Sequence, residues 1–385
     1  MDFLLTEEQR IVQDQARRFA EMEIRPIMEE DEKHHRFRPE IVKKMGELGF
    51  FGCCLPEEYG GNGMGYMESV LITEQLARVS PSWRLPPNLQ NIGPAVTVDK
   101  FGTAEQKEKY IPGWVCGENI GFFAISEPNT GSDVASIAVT ARDAGDHWVL
   151  NGQKMWISNA PVGDCGLVYA CTDKSKRHRG ISCFIVDLKN TAGITTRPIE
   201  TKLGLHCSPT GEIIFEDAKV PKESMLGKPG DGFTICMWML GNTRISCAAG
   251  ALGAGGACVE LAIRYANERR QFGQPVSEFQ LVKAQIAEMV AEHRAAQLLV
   301  YNAAFLKDKG LPNQLQTSIA KYFASESAVK AANESMKIFG SYGFSTEYPI
   351  ERFYRDVKSF QMVEGTTNIQ KMIIGGIACG HAQNR

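Results

Sequence analysis

The sequence predicts an α+β multidomain chain in three parts: helices, then short strands, then helices again. Three observations predict it. Apolar residues recur at helical spacing through the first 118 residues. From 119 to 228 they gather in short runs split by Gly, Asn, Asp and Pro, and beyond 229 the helical spacing returns. The expected units are an all-α domain at 1–118, a small antiparallel β-barrel or sandwich at 119–228 and a helical bundle at 229–385.

The bulk numbers suit that division. The chain has 385 residues, 43% of them hydrophobic and 23% charged, ordinary for a globular protein and long for a single core. A formal net charge of −3 supplies no broad basic field, which disfavours a nucleic-acid partner. No unbroken apolar run approaches the roughly 18 residues needed to cross a bilayer. The opening MDFLLTEEQRIVQDQARRF lacks the basic and apolar segments of a signal peptide. Eleven cysteines form no CxxC pair, and only Cys53–Cys54 are close in sequence. Neither a disulfide framework nor a zinc site is expected, and a reducing, cytoplasmic setting fits better. His34–His35 lack metal-ligand spacing to nearby acids or cysteines and read as surface residues.

In the first part, 7–33, 39–49, 65–79 and 104–117 read as helices, with Thr6 and Gln9 as a capping box. LPEEYGGNG (55–63) and RLPPN (84–88) read as turns. The GGNGMG stretch follows no strand, so it reads as a glycine turn and not as a dinucleotide loop. The second part offers GFFAIS, HWVLNGQKMWIS, GLVYACT, GISCFIVDL and GEIIFEDAKV as strands. In the third, Ile286, Met289, Val290 and His293 share one helical face, and Ser277 with Gln280 could cap that helix. CAAGALGAGGAC (247–258) is almost all small residues, which permits a second helix to approach closely.

Four stretches carry possible chemistry. FFAISEPNTGSDVAS (122–136) runs a strand into a turn with the hydroxyls of Ser126, Thr130 and Ser132, suited to an oxygen-rich ligand or equally to an ordinary ST-rich turn. In LNGQKMWISNA (150–160), Trp156 and Ser158 fall on one strand face at period two, where an indole beside a hydroxyl could cover a flat heterocycle or fill a core. ANERRQFGQPVSEFQ (266–280) sets arginines before a helix start, an anion-binding arrangement or a solvated basic turn. QMVEGTTNIQKMI (361–373) places one carboxylate, Glu364, between Met362–Val363 and a glycine. From its residues it is either a surface turn or a general base.

Together with FGSYGFSTEYPIERFYRD, these stretches resemble the acyl-CoA dehydrogenase flavoprotein family, in its order and spacing and over nearly the whole chain. The resemblance implies that family's fold, with a central β-barrel domain and a C-terminal four-helix bundle. It also implies FAD as cofactor, a homotetramer, and an electron-transferring flavoprotein as acceptor. Phe123, Ile125 and Ser126 would meet the flavin ring, and Trp156 and Ser158 would flank it. Ser132 would contact flavin phosphate or the CoA chain. Arg269, Gln271 and Phe272 would reach the adenine side of a partner's FAD, and Thr366 and Asn368 would contact the cofactor. Lys337 and Ser341 stand where many relatives carry Gln and Gly, and a lysine there could serve a phosphate by charge.

Glu364 matches the family's α-proton base, acting as hydride leaves to flavin N5 from the opposite side of the substrate. A carboxylate in a closed apolar pocket is a stronger base than one in water. The backbone N–H of Glu364 would polarise the thioester carbonyl, Gly365 would permit that approach, and Thr367 with Gln370 could cap the next helix. Some relatives carry the base at the position of Thr243, which here has no carboxylate. Arg244 resembles the arginine beneath the base. In ARVSPSWRLPPNLQ (77–90), Arg84 falls where the glutaryl-CoA branch grips the distal carboxylate of its substrate. The expected substrate is an acyl-CoA with a second carboxylate, glutaryl-CoA or a 2-substituted succinyl-CoA such as benzylsuccinyl-CoA. Three alternatives stand beside it: a neutral cyclic or branched short-chain acyl-CoA, enoyl-CoA reduction on the same scaffold, and a flavin-bound assembly protein without catalysis.

Overall fold

The computed structural model describes residues 4–381; the first three residues of the opening stretch lie outside them. The N-terminal helices are α1 (Glu7–Phe19), α2 (Met28–His34), α3 (Pro39–Glu47), α4 (Tyr66–Val79), α5 (Val96–Phe101) and α6 (Ala104–Val115). Thr6 caps α1 through the reciprocal Gln9 box. The expected helix over 7–33 is continuous but uneven. A π-helical turn at Ala20–Ile24 and a 3-10 turn at Arg25–Ile27, which contains Pro26, separate α1 from α2.

RLPPN is not a turn. Pro81–Arg84 is a 3-10 helix that runs on into a π-helical stretch, Pro87–Ala95, and then α5. Pro87 is the first residue of that stretch, a position where proline's fixed φ is tolerated. All of 80–98 is buried.

The middle part is an eight-stranded sheet. Its strands are β1 (Gly121–Ala124), β2 (Thr140–Asp143), β3 (His147–Ser158), β4 (Cys165–Cys171), β5 (Ile181–Asp187), β6 (Ile194–Pro198), β7 (Thr210–Pro221) and β8 (Met225–Leu226). The spatial order is β6-β7-β3-β2-β4-β5-β8, with β1 parallel to β4. The five expected strands are present; the short β2, β6 and β8 join them. The core beneath holds Phe122, Leu150, Tyr169, Phe184 and Ile213, closed by Ile235 and Met239.

The C-terminal part contains α7 (Gly232–Glu268), a small hairpin of β9 (Arg270–Gln271) and β10 (Gln274–Pro275), then α8 (Gln280–Asp308), α9 (Gln314–Phe339), α10 (Ile350–Val357) and α11 (Thr367–Ala378). Ser277 does not cap α8. It lies in a 3-10 turn, and the helix starts one residue after Phe279 with no side-chain cap. Along α8 Met289 is buried but Val290 is exposed, so the apolar face is narrower than the spacing suggests. α7 is long and apolar enough to cross a membrane, yet 89% of its apolar window is buried inside the protein. Its small residues explain why: a Cβ on Gly253 would stand 2.1 Å from the Glu74 carbonyl oxygen on α4. The stripe is a packing surface for neighbouring helices.

Candidate active site

Between α10 and α11 the chain reverses through two successive left-handed residues, Glu364 (φ 61°) and Gly365 (φ 85°). For a glutamate that backbone is uncommon and must be held by its surroundings. Three side chains hold it. Arg244 Nε on α7 donates to the Glu364 carbonyl at 3.0 Å. Lys321 Nζ on α9 donates to the Gly365 carbonyl at 2.9 Å. The Gln370 amide donates to both carbonyls, at 3.3 and 3.0 Å. Burial pushes the Arg244 and Lys321 pKa values down, with the Glu364 charge opposing it. The cap of α11 is Thr366, whose hydroxyl accepts from Ile369 N–H. Thr367 donates to Glu326 instead and is not the cap.

The Glu364 side chain is 5% exposed, but its sequence neighbours do not bury it: Met362 is mostly exposed. What surrounds it comes from elsewhere. Asn88 Nδ2 donates to Oε1 at 2.9 Å, and Arg84 Nη1 lies 3.7 Å from the same oxygen. Oε2 is buried without a partner. Arg84 is 2% exposed, with Nε and Nη1 unpartnered and the guanidinium 5.5 Å over the Phe360 ring. Its passage beneath α7 requires Gly250, since a Cβ there would stand 2.8 Å from Arg84 Cδ. Arg84 is therefore not a solvent-facing residue. A buried guanidinium lacking acceptors is costly to leave so, and a ligand carboxylate would satisfy it.

A second group lies at the C-terminal end of β1. Ile125 is buried and Phe123 and Ser126 are half-buried, while Ser132 is exposed on the following loop. Glu127, which the sequence reading overlooks, organises that loop. Its carboxylate accepts from Ala138 N–H, Val139 N–H and the buried Lys154 ammonium at 2.7, 3.0 and 2.9 Å. Lys154 also donates to the Ile125 carbonyl. Desolvation draws its pKa down to about 8 against the pull of Glu127.

Two residues on, β3 bulges against β7 between Lys154 and Ile157, and Trp156 takes φ 63°. The bulge breaks the regular period-two strand expected for Trp156 and Ser158. It leaves the indole 56% exposed, with Ser158 half-buried beyond the buried Ile157.

A third group is remote in sequence from these. Arg269 stacks over Tyr342 at 5.4 Å, near Ser341, while Lys337 pairs with Glu334. Gln271 is exposed, and Phe272 at the hairpin tip is 92% exposed. Asn368 is exposed on α11. Among the described residues no group of three or more His, Cys, Asp or Glu could hold a metal. A cavity of about 200 Å³ beside Arg244 is lined by Met237, Trp238, Asn242, Lys307 and Thr317. A larger depression of about 350 Å³ around Lys43, Asp164 and Lys189 shares no residue with the Glu364 turn.

Family models describing the N-terminal, middle and C-terminal domains of acyl-CoA dehydrogenases match residues 6–118, 122–218 and 230–378. The chain belongs to the acyl-CoA dehydrogenase family. It is an oxidoreductase acting on the CH–CH bond of an acyl-CoA, and its cofactor is FAD.

A glutaryl-CoA dehydrogenase of Desulfococcus multivorans is 48% identical over 378 residues, 97% of each chain. A 3-(aryl)acrylate reductase of Clostridium sporogenes is 43% identical over 96% of this chain and 98% of its own. Among solved structures, a glutaryl-CoA dehydrogenase in complex with glutaryl-CoA superposes with a TM-score of 0.97 at 46% identity, covering 100% and 98% of the two chains. An acyl-CoA dehydrogenase of Bacillus anthracis complexed with FAD gives 0.91 at 35%, covering 98% and 69%. The residues of this acyl-CoA dehydrogenase fit FAD: Ser126, Trp156 and Ser158 stay partly accessible beside the buried Ile125, Glu127, Ile157 and Asn159.

Proposed function

We propose that this acyl-CoA dehydrogenase oxidises a thioester whose acyl chain carries a second carboxylate, glutaryl-CoA or a 2-substituted succinyl-CoA such as benzylsuccinyl-CoA. The observation that carries this reading is Arg84, fully buried beside Glu364 with two unpartnered nitrogens. A carboxylate on the acyl chain would supply the acceptors these nitrogens lack. A neutral chain would leave them desolvated and unpaired, a penalty that selects strongly against it. Leu85 and Pro87, both buried next to Arg84, provide apolar surface for a substituent.

Glu364 would remove the α-proton. Its side chain is dry, its backbone is fixed by Arg244, Lys321 and Gln370, and Gly365 allows the thioester carbonyl to approach the Glu364 N–H. Bound FAD supplies the hydride acceptor. Phe123, Ile125, Ser126, Trp156, Ser158, Thr366 and Asn368 would hold it, with Ser132 toward the phosphates or the CoA chain. Arg269, Gln271 and Phe272 would serve the partner's cofactor in a homotetramer, which would cover the exposed Phe272, and Lys337 and Ser341 would bind cofactor near its phosphates. The cavity beside Arg244 would take part of the CoA chain. An electron-transferring flavoprotein would take the electrons onward, in a reducing, cytoplasmic setting that suits the eleven free cysteines.

Anaerobic bleaching of the flavin tests the substrate class. Glutaryl-CoA and benzylsuccinyl-CoA should bleach it, and Arg84→Ala should abolish that response selectively. Rapid bleaching by butyryl-CoA or cyclohexanecarbonyl-CoA, indifferent to Arg84→Ala, would overturn the reading.

A further inference from the structure

Asn88 stands one helical turn beyond Arg84, in the π-helical stretch Pro87–Ala95, and is 1% exposed. Of the described residues it makes the one hydrogen bond to the Glu364 carboxylate, from Nδ2 to Oε1 at 2.9 Å. Its own Oδ1 is buried without a partner, as is Glu364 Oε2. π-Helical turns are rare and recur at functional sites. Here the turn delivers an amide to the edge of a carboxyl group.

We propose that Asn88 is a positioning residue that holds the Glu364 carboxyl group in both of its protonation states. A base that takes the α-proton changes from an acceptor-only carboxylate to a carboxylic acid with an O–H to donate. An amide serves both forms. Nδ2 donates to the carboxylate, and a half-turn about the Cβ–Cγ bond brings Oδ1 round to accept from the acid. The proton moves from the substrate α-carbon to a Glu364 oxygen, and Asn88 neither gains nor loses one. Arginine cannot do this, because a guanidinium has no acceptor. Arg84, 3.7 Å away and without a hydrogen bond to it, can attract only the carboxylate form; Asn88 holds either.

The charged and titratable groups facing Glu364 come from three elements. They are Arg84 on the 3-10 helix, Arg244 and Cys247 on α7, and Lys321 on α9. Arg244 and Lys321 are committed to backbone carbonyls, so a loss at Asn88 falls on the carboxyl group directly. The inference rests on Glu364 as the base and not on which acyl group is oxidised.

The test uses FAD-loaded enzyme with glutaryl-CoA or butyryl-CoA, whichever bleaches the flavin faster. Asn88→Leu, which keeps the branching and heavy-atom count and removes both hydrogen-bonding functions, should lower kcat about ten- to hundredfold while KM changes about twofold or less. The acid limb of the pH–rate profile should move to higher pH, because the charge-assisted bond lost by the carboxylate is stronger than the neutral bond lost by the acid. Asn88→Ser, with a hydroxyl that both donates and accepts, should restore most of the rate and return the limb. Solvent deuterium uptake at the substrate α-carbon should follow the same order. Equal loss in the Leu and Ser variants, or an Asn88→Leu enzyme with normal kcat and an unmoved acid limb, would overturn the proposal. Full turnover by Glu364→Gln would instead remove the base reading beneath it.

Discussion

Arg244 Nε bonds the backbone carbonyl of Glu364, not its carboxylate, at 3.0 Å. The cation therefore fixes where the turn lies and leaves the acid free for a substrate. Lys321 does the same for the next carbonyl, so two buried cations restrain a backbone that glutamate seldom adopts. Arg244→Met should lower kcat by about tenfold or more and also lower the melting temperature, since a charge-assisted bond is lost and the Glu364 carbonyl keeps only the longer Gln370 bond. Lys321→Met should act alike. Stopped-flow flavin reduction beside thermal melts of the holoenzyme checks both. A variant with full activity would show that the turn holds itself.

Gly250 should govern Arg84 from the opposite side of α7. Alanine is worth about 1 kcal/mol more than glycine in a helix interior, so propensity alone predicts that Gly250→Ala stabilises. The space forbids it: the new Cβ would meet Arg84 Cδ at 2.8 Å and Phe360 Cε1 at 3.1 Å. We expect a net loss of stability and a roughly tenfold drop in the ratio of kcat/KM for carboxylated over neutral thioesters. Steady-state kinetics on both substrate classes measures it. A stabilised variant with an unchanged ratio would show that Arg84 can shift at no cost.

Lys154 and Glu127 form a buried pair whose two ends serve different segments. Lys154 reaches back to the Ile125 carbonyl, while Glu127 collects the N–H groups of Ala138 and Val139. Removing the cation alone strands a buried carboxylate, at a cost of about 3–5 kcal/mol. Lys154→Met should therefore unfold at markedly lower denaturant and loosen loop 127–139 to proteolysis. Lys154→Met with Glu127→Gln should recover part of the loss, because the amide no longer carries a charge. If the double variant is no better than the single one, the pair acts through packing and not through charge.

The order of helices, strands and helices is legible because each part repeats a short-range signal, and the Glu364–Gly365 turn stands out because an acid before glycine interrupts an apolar stretch. What surrounds that turn is not legible. Asn88 lies 276 positions from Glu364 and Lys321 44 from Gly365, and neither residue belongs to a pattern that spacing could reveal. The prolines of RLPPN mimic a turn because the sequence alone does not show that Pro87 opens a π-helical stretch. Trp156 follows the same logic: a strand pattern implies period two, and only the register against β7 exposes the bulge. Ser277 and Thr367 show how weak a capping motif is where a neighbouring turn or an adjacent threonine competes for the position.

Glu74 gives the protein a pH dependence of its own. It is buried on α4 where α7 and α8 meet, accepts from Tyr301 Oη at 2.8 Å, and burial raises its pKa from 4.5 to about 7. Asp356 on α10 is raised to about 7 for the same reason, despite the Leu205 N–H it accepts. The folded state thus holds protons that the unfolded chain releases near pH 4 to 4.5. Between about pH 4 and 7 the folded protein binds more protons, so stability falls as pH rises, by up to about 3–4 kcal/mol per group, and stays low above it. Melting temperatures of the holoenzyme should accordingly decline from pH 5.5 toward about pH 8. Glu74→Gln keeps an acceptor for Tyr301 but cannot ionise, so it should flatten part of the decline and raise the melting temperature at the alkaline end. A variant whose profile parallels the wild type across that range would show that Glu74 is ionised in the folded protein at neutral pH.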